Sequence, residues 1–289
     1  MESTTNITES IIQTINTIFQ KLFGSIDNNL YTVLDDITFI NNNILKDKNF
    51  ENIFGTSPSN GILLISNSLL IGVVLYFAIK FFLSNITYSP IEKPYQFIFK
   101  LILCGICMNF SFFLVDLLLS LTSDISLLIR NIGENLFNKN ICFSELITSL
   151  NTSISIDNPS IDIFSIDGLI KGTLTLSLVN LVFSYSFRYI MIKIFVLISP
   201  FAILSLSLNS TAWFFKSWLK NLFSLLFIQI IVSLVLVVLF SMDYSSSDLI
   251  SKFIYVGGMY ALIKANSFVR EFIGGVSTDI SQSVYKLRK

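Results

Sequence analysis

A run of about 20 apolar residues can hardly do anything but cross a lipid bilayer as a helix, because its backbone groups must then satisfy one another. This chain carries several such runs. "GILLISNSLLIGVVLYFAIKFFL" (Gly61 to Leu83), "FIFKLILCGICMNFSFFLVDLLLSL" (Phe97 to Leu121) and "NLFSLLFIQIIVSLVLVVLF" (Asn221 to Phe240) are long enough to span. "LISKFIYVGGMYALIKANSFV" (Leu249 to Val269) is weaker, with Lys252 and Lys264 near its ends, where their stems can snorkel. Gly168 to Leu208 is apolar for about twice the length of one crossing. Composition agrees with the runs. Only 13% of residues are charged, about half the usual share of a soluble domain. The expected class is an all-α integral membrane protein with about five transmembrane helices.

Loop charge orients the spans, since Lys and Arg collect on the cytoplasmic side. Lys80, Lys93 and Lys100 surround the first connection, and Arg188, Lys193, Lys216 and Lys220 mark a later one. Thr122 to Asp167 instead holds Asp124, Glu134, Glu145, Asp157, Asp162 and Asp167 against Arg130 and Lys139, and Ser241 to Asp248 holds only acids. Five spans (61–269), with an external loop at 122–167, an external N-terminus and an internal basic tail at 270–289, satisfy this alternation. The expected location is the cytoplasmic membrane, with the lipid bilayer as the first partner. Ser155 and Ser246 are then outside, and Glu92, Ser217 and Gln282 inside.

The stretch 188–220 has three possible paths. Gly168 to Phe187 crosses inward, Arg188 meets headgroups, and the chain then lies partly inserted on the cytoplasmic face, with Pro200 breaking any straight continuation. A hairpin crossing back from Tyr189, or one long tilted helix, are the rivals. Trp213 and Trp218 interleave with Lys216 and Lys220 as an interfacial helix would. At 100° per residue the two rings point about 140° apart, so one packs on protein while the other sits among headgroups. Trp218, beside the next span, is the expected packed ring.

Residues 1–60 differ in kind. Ile11, Ile12, Ile15, Ile18, Phe19, Leu22 and Phe23 form one helical stripe. Gly24 is the expected stop, with a second short helix through Leu30, Leu34, Ile37 and Ile40. An external amphipathic helical region follows, and Ile15, Ile18, Phe19 and Leu22 form a docking stripe for a neighbouring copy or another subunit.

Chemistry is sparse. The chain has no histidine, and its three cysteines are Cys104, Cys107 and Cys142. Cys104-Gly-Ile-Cys107 has redox or zinc spacing but sits in an apolar run without further ligands, where small packing residues are expected. Neither a catalytic site nor a cofactor is expected. Asp116, in "FFLVDLLLSL", is the best intramembrane acid and lies about five residues from the expected external end of its span. Arg188 and Lys193 suit anionic lipid, a partner's acid or passing phosphate, as well as plain anchoring.

The block "RYIMIKIFVLISPFAILSLSLNSTAWFFKSWLKNLFSLLFIQIIVSLVL" carries a basic residue (Arg188), an apolar run ending in Ser199-Pro200, a spacer, then Trp213 and Trp218 before a span. It resembles the core of the polytopic inner-membrane subunit of type IV secretion and conjugation systems, the TrbL-like family. Lys252 to Gly275 resembles that family's last span. The resemblance covers about 100 residues by motif and the rest by layout only. It implies a membrane-embedded channel component that assembles as a homo-oligomer around the base of an external stalk or pilus. DNA or protein would pass through, and separate cytoplasmic ATPases would supply the energy. A membrane subunit of a solute transporter is the alternative, although no inverted repeat is visible.

Overall fold

The computed structural model describes residues 2–55, 60–87, 93–153, 165–242 and 249–273. These are almost wholly helical: α1 (Glu2–Thr38), α2 (Lys48–Phe54), α3 (Gly61–Thr87), α4 (Pro94–Asn109), α5 (Ser111–Phe137), α6 (Phe143–Ser153), α7 (Ile166–Leu204), α8 (Ala212–Phe240) and α9 (Leu249–Ile273). Short 3-10 turns follow α1 (Asn42–Leu45) and α7 (Ser205–Ser207). No strand occurs among the described residues. Four helical stretches are long and apolar enough to cross a membrane: Gly61–Ile86, Ser111–Phe137, Ile166–Ser207 and Ala212–Phe240. The chain is thus an all-α membrane protein. Its α9 is less apolar and is not among the four.

Helix α8 lies at the centre, packed against α5, α7 and α9. Its buried face includes Leu222, Leu225, Leu226, Val232 and Leu236. Helices α5 and α8 run in the same direction, with Ser126 beside Ser233 at 2.6 Å and Gly133 backed by Val237. Helix α7 runs the opposite way. Helices α3 and α4 form an antiparallel pair, with the Phe77 and Phe97 rings stacked at 3.6 Å and the Asn67 and Asn109 amides hydrogen-bonded at 3.2 Å.

Two polar contacts mark the ends of the bundle. Lys100 Nζ donates to Asn209 Oδ1 at 2.7 Å, joining the start of α4 to the α7–α8 turn. Lys252 Nζ pairs with Asp167 Oδ1 at 2.7 Å, joining the starts of α9 and α7. The basic connections therefore share one end, while Asp167 and the start of α9 sit at the other. Glu92, Ser155, Ser246, Gln282 and the tail beyond Ile273 lie outside the described residues.

Several sequence expectations need correction. The chain does not turn at Arg188. Helix α7 continues without a break to Leu204, about 58 Å at 1.5 Å per residue. Residues 212–220 are the first turns of α8, so 188–220 is not a separate interfacial segment. Pro200 does not end the helix because the bond it forfeits is replaced. Val196 O, which lacks the usual amide partner four residues on, accepts from Ser199 Oγ at 2.7 Å.

The run Phe97 to Leu121 is not one helix either. It breaks at Phe110, where Asn109 Nδ2 turns back to Gly105 O at 2.8 Å. The region 122–167 is no loop in its first part: α5 extends to Phe137 and α6 follows. Of the acids there, Asp124 is exposed on α5 near Leu127 and Leu128, while Glu134 is half-buried and accepts from Ile141 N at 3.3 Å. Helix α1 passes through Gly24 to Thr38, since one glycine costs only about 1 kcal/mol against alanine in a helix.

The α8–α9 contact depends on one glycine of a pair. A Cβ at Gly258 would overlap the Leu239 side chain, whereas one at Gly257 would meet nothing within 4 Å. Gly258→Leu should destabilise the detergent-solubilised protein by about 1–3 kcal/mol in thermal unfolding, and Gly257→Leu should leave it unchanged or more stable by up to about 1 kcal/mol. Equal effects would show that the helices do not approach through Gly258.

Candidate functional site

The residue on which the structure converges is Arg188. It is fully buried, with 0% of its surface exposed, midway along an apolar helix. An unpaired cation there would be very costly. Its donors instead reach three acceptors on two other helices, α1 and α8. Nε donates to Leu225 O at 2.7 Å, Nη1 to Thr38 O at 2.9 Å, and Nη2 to Gln229 Oε1 at 3.3 Å. All three acceptors are neutral. Thr38 is the last residue of α1, where free carbonyls and the negative end of the helix dipole favour a cation. Leu225 O, within α8, takes the guanidinium on its second lone pair beside its ordinary helical bond. One guanidinium thus ties α1, α7 and α8 at a single height, a task for which its planar fork suits it better than lysine.

Neighbouring contacts extend this junction. Tyr185, one helical turn before Arg188 and also fully buried, donates its hydroxyl to Leu262 O of α9 at 3.0 Å. Its ring lies 6.4 Å from Phe143 of α6, and Phe143 lies 6.2 Å from Phe39. Asp35 accepts from the backbone amides of Phe143 at 2.8 Å and Ser144 at 3.3 Å, so the end of α1 caps the start of α6. Burial pushes the Asp35 carboxyl above its ordinary value, and the two amide bonds pull against that rise. On α8, Gln229 O accepts from Ser233 Oγ at 2.9 Å, and Ser233 meets Ser126 of α5.

The motif residues divide between this core and the surface. Trp218 is buried and donates Nε1 to Phe195 O at 2.9 Å, a second α7–α8 clamp below Arg188. Pro200 is buried close to the end of α7. Trp213 is 66% exposed and touches Phe214 edge-on. Lys193 does not join Arg188. Its ammonium lies over the Phe50 and Tyr189 rings at 5.4 and 5.3 Å, towards α2.

Asp116 stands elsewhere, half-buried in the second turn of α5. It is near the Phe110 break rather than near an outer end, because α5 continues well past Leu121. Of the docking stripe, Ile18 and Phe19 are exposed and Ile15 is half-buried, while the side chain of Leu22 lies outside the described set.

The pattern of apolar runs did not single out the junction's partners. Gln229 could have been found as the one amide in the interior of the most apolar run of the chain, Asn221 standing at its start. Thr38 O and Leu225 O carry no sequence signal, being backbone atoms. No family model, curated protein or solved structure matches this chain.

The junction makes a graded prediction for unfolding of the solubilised protein. Arg188→Met should cost on the order of 3 kcal/mol, because it leaves Gln229 Oε1 and the helix-end Thr38 O without this donor and removes the second bond to Leu225 O. Trp218→Phe, which loses one hydrogen bond, should cost about 1 kcal/mol. Trp213→Ala should stay within about 0.5 kcal/mol. A Trp213 variant less stable than the Trp218 variant would contradict the packing described.

Proposed function

We propose that this protein is a non-catalytic, membrane-embedded component of a type IV secretion or conjugation channel, working as a homo-oligomer that helps DNA or protein cross the cytoplasmic membrane. The observation that carries the reading is the position of the residues behind the resemblance. Arg188, Ser199-Pro200 and Trp218 are not scattered along a degenerate apolar block. Arg188 and Trp218 hold two levels of one α7–α8 joint, and Ser199-Pro200 keeps α7 continuous beyond them. A motif that builds the joint of the membrane domain is what a channel-forming family would retain while its loops vary.

Two further features favour an assembled channel. A lone bundle whose centre is filled by α8 has no room for a macromolecule, so a passage needs several copies. Helix α1 leaves Ile11, Ile18 and Phe19 exposed while its C-terminal end docks into the core, which suits contact with a neighbouring copy or a stalk subunit. We also assign the end bearing Lys100 and the α7–α8 turn to the cytoplasm, by the charge rule.

Deletion of the gene should abolish transfer of DNA or secreted protein in its host and leave growth and small-solute uptake unchanged. Normal transfer combined with loss of one solute's uptake would overturn the reading in favour of a transporter subunit. Ile18→Asp together with Phe19→Asp should reduce the oligomer to a smaller species in size-exclusion chromatography with light scattering, with membrane insertion retained. An unchanged oligomer mass would remove the stripe from the assembly. For orientation, a single cysteine at Ser217 in a background without the native cysteines should resist an impermeant thiol reagent in intact cells. Labelling there would invert the assignment.

A further inference from the structure

Beside the Arg188 junction lies a cleft of about 540 Å³, formed by the end of α1, the 3-10 turn after it, and Arg130 and Tyr189 on α5 and α7. That size suits a small organic ligand. The lining is divided in chemistry. Asp35, Asp36, Asn41 and Arg130 supply polar groups, while Phe39 and Ile40 are among its apolar residues.

Arg130 is the unusual member. Its guanidinium carbon sits 4.0 Å from the centre of the Phe39 ring, which fixes the group without using its N–H donors. Its Nε is shut off from solvent and has no hydrogen-bond partner. Among the described residues no carboxylate is close enough to pair with it. A half-buried, pre-oriented guanidinium with free donors is suited to a phosphate or carboxylate. The other charges among the lining residues are acids, Asp35, occupied in capping α6, and Asp36, whose side chain is exposed, with Glu134 one turn further along α5; behind the lining stand two cations, Arg188, whose donors are taken, and Lys193, over the Tyr189 ring. A plain anion on Arg130 would leave the exposed Asp36 without a partner. A ligand bearing both a phosphate and a protonated amine would find a partner for each charge.

The surroundings say where such a ligand comes from. Arg130 lies seven residues before the end of α5, one of the four helices able to span, so it stands towards a membrane interface rather than at the midplane. One turn towards the middle of the same helix, and about 60° round it from Arg130, Leu127 is exposed. An acyl chain lying along that side of α5 would run up to the charged cleft.

We propose that the cleft binds the headgroup of an amine-bearing membrane phospholipid, phosphatidylethanolamine, with Arg130 on the phosphate and Asp36 on the ammonium. The primary ammonium matters because it donates three hydrogen bonds to a carboxylate, whereas a quaternary choline donates none. The site does not depend on the secretion reading, since it rests only on the protein residing in a membrane.

Native mass spectrometry of the full-length protein in mild detergent, titrated with defined lipids, tests this. Phosphatidylethanolamine should bind at least about tenfold more tightly than phosphatidylglycerol and measurably more tightly than phosphatidylcholine. Arg130→Gln should weaken phosphatidylethanolamine binding about tenfold. Asp36→Asn, at an exposed position that folding does not depend on, should erase the preference over phosphatidylcholine while leaving binding itself.

Glycerophosphoethanolamine and inorganic phosphate are the soluble comparisons, and both should bind far more weakly than the lipid. Equal binding of the three lipids overturns the proposal, as does binding indifferent to both substitutions. So does inorganic phosphate binding as tightly as the lipid with the same dependence on Arg130, which would make the cleft a plain anion site. Should Arg130→Gln fail to fold, the Asp36→Asn comparison and the wild-type lipid ranking decide the matter on their own.

Discussion

A guanidinium enclosed by apolar helices must have its donors met or it will not stay there, and this requirement organises the protein. Arg188 finds its acceptors on α1 and α8, so the relative height of three helices follows from the reach of one side chain. No carboxylate is involved. Backbone carbonyls and one amide suffice, which avoids the need to bury a second charge. Everything nearby is built to keep those acceptors in place. Thr38 O is offered because α1 ends at that residue. Gln229 is held by the serine contacts between α5 and α8, and Trp218 closes the seam one step further along α7.

The same logic explains how a helix of about 58 Å can exist in a membrane protein. It packs on α1 and α9 as well as on α4 and the α7–α8 turn, so it belongs to two layers of helices. Helices α4 and α5 achieve a comparable reach differently, with a break at Phe110 between two straight pieces. Where α7 meets a proline it repairs the lost bond locally with Ser199. Where α4 meets Asn109 the side chain competes for the backbone and the helix yields.

What was legible in the sequence follows from these mechanisms. Apolar runs announced the helices and the membrane class, because burial of backbone polar groups leaves few options in lipid. Simple rotation along a helix separated Trp213 from Trp218, and the structure exposes the first and buries the second. The path of 188–220 was misjudged for a physical reason. A cation next to an apolar run ordinarily marks headgroups, and nothing local reveals that carbonyls far away in sequence will enclose it. Acids at 124 and 134 suggested a loop although both belong to the continuous helix α5. The break at Phe110 and the continuity at Pro200 each turn on a single side-chain hydrogen bond, below what periodicity can resolve.

Arg188's acceptors are also far apart along the chain: Thr38 precedes it by 150 residues, while Leu225 and Gln229 follow it by 37 and 41. A ribosome therefore delivers one acceptor long before the cation and the other two only afterwards. While α7 emerges, its charge has at most the end of α1 to hold, and it cannot settle fully until most of α8 has been made. The α7–α8 hairpin is thus the first stretch of the emerging chain in which the central charge has its α8 acceptors beside it.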